Sequence, residues 1–311
     1  MNRRSLSHLV ATTLVVGAAP IAIPAYAAIP SAVDAMIREA AKSGDDATLA
    51  AVVKIAKATN PDDADEIGKL AASLQSAQKA AAEKARTEKL AEQGLFEGWK
   101  GEGQLGIGLS SGNTSETSAV LGLSLEKQGL HARHKLSGSI DYLRTNGTTE
   151  RQKYALDYEL NLALGQRLSL VGTLDAERDR FSGYASRFTE SVGLGYRAIK
   201  QPDMTLDISA GPALRQTHYI VLSSDSGQDG LAGRGSLDWR WTIRDGIVLT
   251  EKASVLAEQT DTTLATTAAL TSKISGGLSA RLSYNVQKET NPPEGLKSVD
   301  SSTRATLVYG F

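Results

Sequence analysis

Between Gln152 and Leu164 the chain reads QKYALDYELNLAL. Tyr154, Leu156, Tyr158, Leu160, Leu162 and Leu164 fall on one parity, and Lys153, Asp157, Glu159 and Asn161 on the other. Successive side chains of a strand point to opposite faces, so this stretch has one apolar and one charged face over its whole length. Eleven further stretches keep the pattern, near 99–110, 117–127, 130–143, 168–178, 188–199, 204–217, 231–242, 247–259, 264–274, 278–288 and 301–311. Each is close to the ~9–11 residues that a tilted membrane-crossing strand needs.

The connections alternate in length. Lys127 to Gly129, Gly165 to Arg167, Lys200 to Asp203, Arg244 to Gly246 and Ser275 to Gly277 read as tight turns, whereas Asp179 to Arg187, His218 to Gly230 and Glu289 to Asp300 read as longer loops. Antiparallel outer membrane barrels keep short turns at the periplasmic end and longer loops outside. Aromatic side chains are expected at both edges of the apolar face, Trp99, Trp239, Trp241, Tyr309 and Phe311 at one rim and Tyr142, Tyr154, Tyr158 and Phe188 at the other. Pro212 predicts a bulge or the outer end of its strand, because it cannot donate to a ladder.

Ahead of the strands the pattern differs. Residues 1–27 read as a secretory signal: Arg3 and Arg4 precede the apolar run Leu9 to Pro24, and Ala25-Tyr26-Ala27 supplies a small-x-small cleavage site. Residues 28–94 carry helical periodicity and are expected to form a periplasmic extension. A capping box is expected at Ser31 and Asp34, a stop at Gly44, and a further N-cap at Asn60 followed by Pro61. The domain that follows is 95–311.

Composition removes several function classes. The 34 Lys and Arg balance 35 Asp and Glu, which leaves no electrostatic argument for nucleic acid. The absence of cysteine excludes disulfides, thiolate metal sites and a Cys nucleophile. Asp175, Glu177 and Asp179 share a parity, but nearby Arg178, Arg180 and Arg187 favour ion pairing over metal binding. The carboxylates and glycines of Ser223 to Gly230 lack EF-hand spacing and are expected to form an external loop. His131, His134 and His218 are expected to be structural, with His134 on the lipid face and His131 on the lumen side. No catalytic, metal or cofactor residues are assigned.

Two folds can bury the apolar faces: a soluble barrel or sandwich with the apolar side inward, or a membrane barrel with it outward. Charges of both signs run along the strand middles, mixed with Gly, Ser and Ala, which is unlike an ordinary water-facing surface. The membrane barrel is therefore preferred, as an all-β, about 12-stranded antiparallel transmembrane β-barrel preceded by a short helical segment. Its lumen would be lined by Arg133, Lys153, Asp157, Glu159, Asp175, Glu177, Arg215, Arg281 and Arg304. The terminal Leu307, Tyr309 and Phe311 are similar to the assembly signal of outer membrane proteins. Expected partners are the barrel assembly machinery, outer membrane lipid and lipopolysaccharide.

Gly98-Trp99-Lys100-Gly101-Glu102, Ser111-Gly112-Asn113-Thr114, His134-Lys135-Leu136, Glu177-Arg178-Asp179-Arg180-Phe181, Gly193-Leu194-Gly195-Tyr196-Arg197 and Ala210-Gly211-Pro212 resemble the bacterial family described as salt-induced outer membrane proteins. The resemblance covers about Leu95 to Phe311. It implies a Gram-negative outer membrane barrel linked to salt or osmotic conditions, with no catalytic or ligand residues to carry over. The expected activity is passive passage of ions or small solutes. A closed barrel supporting envelope integrity is the first alternative, and an outer membrane hydrolase the second.

Overall fold

A strand with one apolar face needs neighbours that share it, and here twelve strands close on one another. The computed structural model describes residues 29–94, 96–110, 115–220, 227–292 and 297–311. The signal segment and the phrase Ser111 to Thr114 lie outside the described residues. The strands are β1 (Trp99–Ser110), β2 (Glu116–Gln128), β3 (Ala132–Thr145), β4 (Thr148–Ala163), β5 (Leu168–Asp179), β6 (Tyr184–Lys200), β7 (Met204–Tyr219), β8 (Gly227–Arg244), β9 (Ile247–Glu258), β10 (Thr262–Ser275), β11 (Leu278–Glu289) and β12 (Val299–Gly310). Each pairs antiparallel with its chain neighbours, and β12 returns to β1 to complete a closed 12-stranded barrel.

Closure is short. The β1–β12 register runs from Glu102↔Gly310 to Leu105↔Leu307. Gly101 and Phe311 extend it by exchanging backbone hydrogen bonds of 3.0 and 2.9 Å. A Cβ on Gly101 would come within 2.5 Å of the Phe311 ring, so the terminal aromatic lies directly on that glycine.

We call the barrel end holding Trp99 and Phe311 the terminal rim, and the opposite end the loop rim. Several strands run farther toward the loop rim than alternation predicts. β4 starts at Thr148, β6 at Tyr184 and β8 at Gly227. The cause at β4 is the pair Asn146-Gly147, both at positive φ (51° and 84°), which forms a two-residue hairpin. Between β5 and β6 the expected loop shrinks to a 3₁₀ turn, Arg180–Ser182, capped by Asp179. Gly227 to Gly230, expected in a loop, pair with Arg215 to His218 as part of β8, while 221–226 lie outside the described residues.

Pro212 sits inside β7, not at its end. The β6–β7 ladder skips from Ser191↔Ala213 to Leu194↔Ala210 around it. In that gap the two backbones close in: a Cβ on Gly211 would lie 2.1 Å from the Val192 carbonyl oxygen, and one on Gly193 2.4 Å from that of Ala210. Only glycine permits the approach.

Contacts divide the chain into two units, one ending at Arg86 and one beginning at Thr87. The first contains α1 (Ser31–Lys42), α2 (Asp46–Thr59), a 3₁₀ turn (Pro61–Asp63) and most of α3 (Ala64–Glu92). Ile37, Ala40, Ala41, Leu49, Ala56 and Ile67 form its small core. The caps differ from expectation. Ser31 lies inside α1 and makes no side-chain cap, and Asp34 pairs with Arg38 at 2.7 Å. The Asn60 side chain turns back to the Ala56 carbonyl at 3.0 Å and so closes α2 instead of opening α3. Gly44 does follow the end of α1 at φ 75°, and Asp45 caps α2 by accepting from the Ala47 and Thr48 amides, both at 3.1 Å. No helix among the described residues is long and apolar enough to cross a membrane.

Two outcomes follow from this packing. Gly211→Ala forces the β6 and β7 backbones apart and is expected to lower barrel stability by about 1–3 kcal/mol, read as a lower urea midpoint for loss of the heat-modifiable gel band. The Asp45 carboxyl is held below its ordinary value by hydrogen bonds from the Thr48 side chain and the Ala47 and Thr48 amides. Its stabilising effect is therefore complete above the unfolded-state pKa and lost as pH falls through the lower folded value. Asp45→Ala should speed hydrogen exchange at Ala47 and Thr48, and the difference from the parent should vanish at the lowest pH.

Candidate functional site

Polarity in the barrel is inverted relative to a water-soluble core. Leu121, Leu156, Leu174, Val192, Leu194, Leu214, Leu270, Leu282 and Leu307 are exposed, and Ile107 and Leu231 are 69% and 73% exposed. The buried set in the barrel includes Asp141, Asp179, Arg187, Arg215 and Glu289. An exposed apolar belt around a charged interior is the arrangement a bilayer requires.

The interior is identified by ion pairs between strands that are not neighbours, since such side chains can meet only inside. Arg133 (β3) reaches Asp207 (β7) at 3.4 Å, and Lys135 (β3) reaches Asp238 (β8) at 3.1 Å and Glu159 (β4) at 3.2 Å. Arg281 (β11) meets Glu102 (β1) at 2.8 Å. Deeper, Arg234 (β8) pairs with Asp175 (β5), and Arg304 (β12) with Asp141 (β3). Lys153 (β4) holds Glu177 (β5) at 2.6 Å and donates to Gln287 (β11) at 3.3 Å. Asp157 accepts from Ser137 at 3.2 Å. Of the nine lumen candidates only Lys153 and Glu177 pair with each other; the others meet partners outside the nine, such as Asp207, Lys135, Arg234, Glu102 and Asp141.

The acids Asp175, Glu177 and Asp179 do not converge on a common point. Asp175 and Glu177 pair with Arg234 and Lys153 from other strands, not with their sequence-adjacent arginines, and Asp179 is used as a cap. Among the described residues no cluster of His, Asp and Glu is arranged to hold a metal ion.

Near the loop rim the lumen is packed. Tyr184 is fully buried, its hydroxyl donates to Glu177, and the Arg187 guanidinium lies 4.0 Å over its ring. Arg187 (β6) spans the barrel to Glu289 (β11) at 2.7 Å, both nearly inaccessible to water. Beside them Arg215 (β7) donates to Glu258 (β9) at 3.0 Å and to Thr263 (β10) at 2.7 Å. Alternation missed Tyr184, Arg187 and Glu289 as lumen residues because their strands were expected to stop at Phe188 and Lys288. The inward parity of β6, continued two residues past Thr189, reaches Arg187 and is the signal for it, as the parity of β11 past Gln287 is for Glu289. Tyr184 lies beyond a register shift that breaks the parity and leaves no such signal.

Toward the terminal rim the lumen is more open, with Arg240, Lys252 and Lys273 exposed. The chords from β3 to β7 and β8 enclose a cavity of about 170 Å³ on the β4–β7 side, lined by His131, Arg133, Glu159, Arg197, Asp207 and Asp238 among others. On the outer face of this rim, His134 Nδ1 lies 2.8 Å from the Tyr158 hydroxyl and its ring 6.3 Å from that of Trp99. Tyr158 therefore belongs with the terminal-rim aromatics and not, as expected, with the other rim. Trp239 and Trp241 stack at 6.2 Å on the same parity. Leu307, Tyr309 and Phe311 are exposed on the outside of β12 and its end.

These features define a bilayer-spanning 12-stranded barrel with a charged, internally bridged lumen. Residues 103–311 match the family described as "Protein of unknown function, DUF481", and the chain belongs to that family. It is similar to "Uncharacterized protein YdiY" of Escherichia coli K12, 25% identical over 244 residues that span 78% of this chain and 94% of the relative. Among solved structures it is similar to the translocator domain of autotransporter NalP from Neisseria meningitidis (14% identity, TM-score 0.42, 76% of this chain and 97% of that one). It is also similar to the NanC porin (12% identity, TM-score 0.41, 68% and 98%).

Removing one partner of a buried pair strands the other charge, whereas replacing both by apolar groups costs little. Arg187→Met is accordingly expected to destabilise the refolded barrel by about 3–5 kcal/mol, and Arg187→Met/Glu289→Met to recover most of that loss. Urea unfolding followed by tryptophan fluorescence measures both.

Proposed function

We propose that the protein is a non-enzymatic outer membrane barrel offering a narrow passive route to ions and small solutes, with the packed loop-rim cluster setting its width. The observation that carries this reading is the Arg187–Glu289 pair, which crosses the barrel at 2.7 Å beside the buried Tyr184. A wide aqueous pore cannot coexist with that contact, yet exposed polar side chains farther down the lumen leave room for water. A closed barrel supporting the envelope is the second reading, favoured by the number of lumen charges matched by partners on other strands.

Within this proposal the helical unit lies in the periplasm, the Leu307, Tyr309 and Phe311 strand end addresses the barrel assembly machinery, and outer membrane lipid and lipopolysaccharide surround the belt. The hydrolase reading has less support, since His134 is engaged with Tyr158 on the outer face. A link to salt conditions is consistent with a lumen held by ion pairs, whose exposed members weaken as ionic strength rises.

Planar-bilayer recording of the refolded mature chain tests the reading. The parent should show small, steady unitary currents, and Tyr184→Ala/Arg187→Ala/Glu289→Ala should raise them severalfold. Silence from both proteins, with folding verified by heat-modifiable mobility, would replace passage with the envelope-supporting role.

A further inference from the structure

The paired charges do not fill the lumen evenly. The Lys135–Asp238 contact runs from β3 to β8 and divides the terminal half into two lobes. The β4–β7 lobe holds the cavity and its matched charges. The other lobe is walled by β9 through β12 and on to β2, and its bases are arranged differently.

Lys273 on β10 lies at the rim and is exposed, Arg240 on β8 is exposed farther in, and exposed Lys252 on β9 is deeper still. All three share the parity of residues with inward partners: Arg240 that of Asp238, Lys252 that of Glu258, and Lys273 that of Thr271, which accepts from Arg281 at 3.0 Å. Among the described residues none of the three side chains has an acidic partner. The register sets their spacing. Lys273 is diagonal to Arg281 across β10–β11, and Arg240 is diagonal to Lys252 across β8–β9. Such diagonals lie about 7–8 Å apart. Lys252 itself is level with Thr267, six positions up the strand from Lys273, or about 20 Å at the rise of a strand.

That span is too great for one ion to touch both lysines, so the bases form steps and not a cage. Two acids face this lobe with partners of their own: Glu102 is held by Arg281, and Asp238, level with Lys252 across β8–β9, gives its carboxylate to Lys135. Glu126 on β2 is left, and it lies near Arg197 on the far wall. We infer that this wall is a one-sided cationic track, along which small anions such as carboxylates and phosphates enter the lumen from the terminal rim. Lysine and arginine on flexible stems at these intervals pass an anion from one to the next without a fixed hydrogen-bond geometry, so selection is by charge and not by shape. The inference deepens the passage reading by naming its solute class, but it concerns local potential and can be measured without any current.

The chain has no cysteine, so Thr250→Cys places a single thiol on the inward face of β9, opposite Arg240 and two residues from Lys252. Its reaction rates with a sulfonate-bearing and a trimethylammonium-bearing methanethiosulfonate reagent are compared in the refolded full mature chain in non-ionic detergent. The ratio of the two cancels any change in thiol ionisation. Adding Arg240→Gln and Lys252→Gln should lower the anionic-to-cationic rate ratio by about tenfold at low ionic strength and much less in high salt. Lys288→Gln, on the outward parity of β11, should leave the ratio unchanged. An equal ratio with and without Arg240 and Lys252 would overturn the track, as would a thiol that neither reagent reaches. A barrel that carries no current but keeps the charge-dependent ratio retains the track and loses the passage reading. One that conducts with an indifferent ratio does the reverse.

Discussion

The demand that every backbone amide and carbonyl find a partner governs this molecule. In hydrocarbon there is no water to take an unpaired group, so a sheet crossing a bilayer must leave no edge. Here the last edge is closed by the briefest of the twelve ladders, four register pairs from Glu102↔Gly310 to Leu105↔Leu307, with Gly101 and Phe311 bonded beyond them. The bare backbone of Gly101 is covered by the Phe311 ring. Phe311 thus completes the sheet at its last seam.

Closure in turn fixes where polarity can go. With leucines committed to the outside, the inward positions are left to small residues, polar groups and charges, most of the buried ones paired. Charges in such a space are costly unless paired, and along β3, β4 and β5 the neighbouring inward residues carry like charges, Arg133 with Lys135, Asp157 with Glu159 and Asp175 with Glu177. Arg187 with Glu289, Lys135 with Asp238 and Arg304 with Asp141 instead bridge strands distant in sequence. Each such bridge specifies which strands face one another. The pairs therefore contribute more to the uniqueness of the barrel than to its net stability.

Much of this was legible in the sequence, because a period of two is a direct imprint of strand geometry. Strand number, closure and the inward parity of residues such as Asp157 and Arg215 all follow from alternation. Partner choice does not. Asp175 sits beside arginines in sequence yet pairs with Arg234, since strands β5 and β8 face each other only once the barrel has closed. Strand ends were also obscured. Asn146-Gly147 looks like part of a polar loop until its two positive φ values are recognised as a hairpin. Tyr184 and Arg187 look like loop residues until the strand is carried past Phe188.

Those strand ends have a mechanical consequence. β4, β6, β7 and β8 contain 16, 17, 16 and 18 residues, well beyond the ~10 that a crossing requires. The surplus lies at the loop rim, where it raises one side of the wall. Inward side chains toward that rim, Tyr184, Arg187, Arg215 and Thr217, pack until almost no water reaches them. The packed part of the lumen is thus built from the strands themselves. A constriction of this kind is held by the same hydrogen-bond ladders that close the barrel, so widening it requires side chains to part while the backbone stays in register.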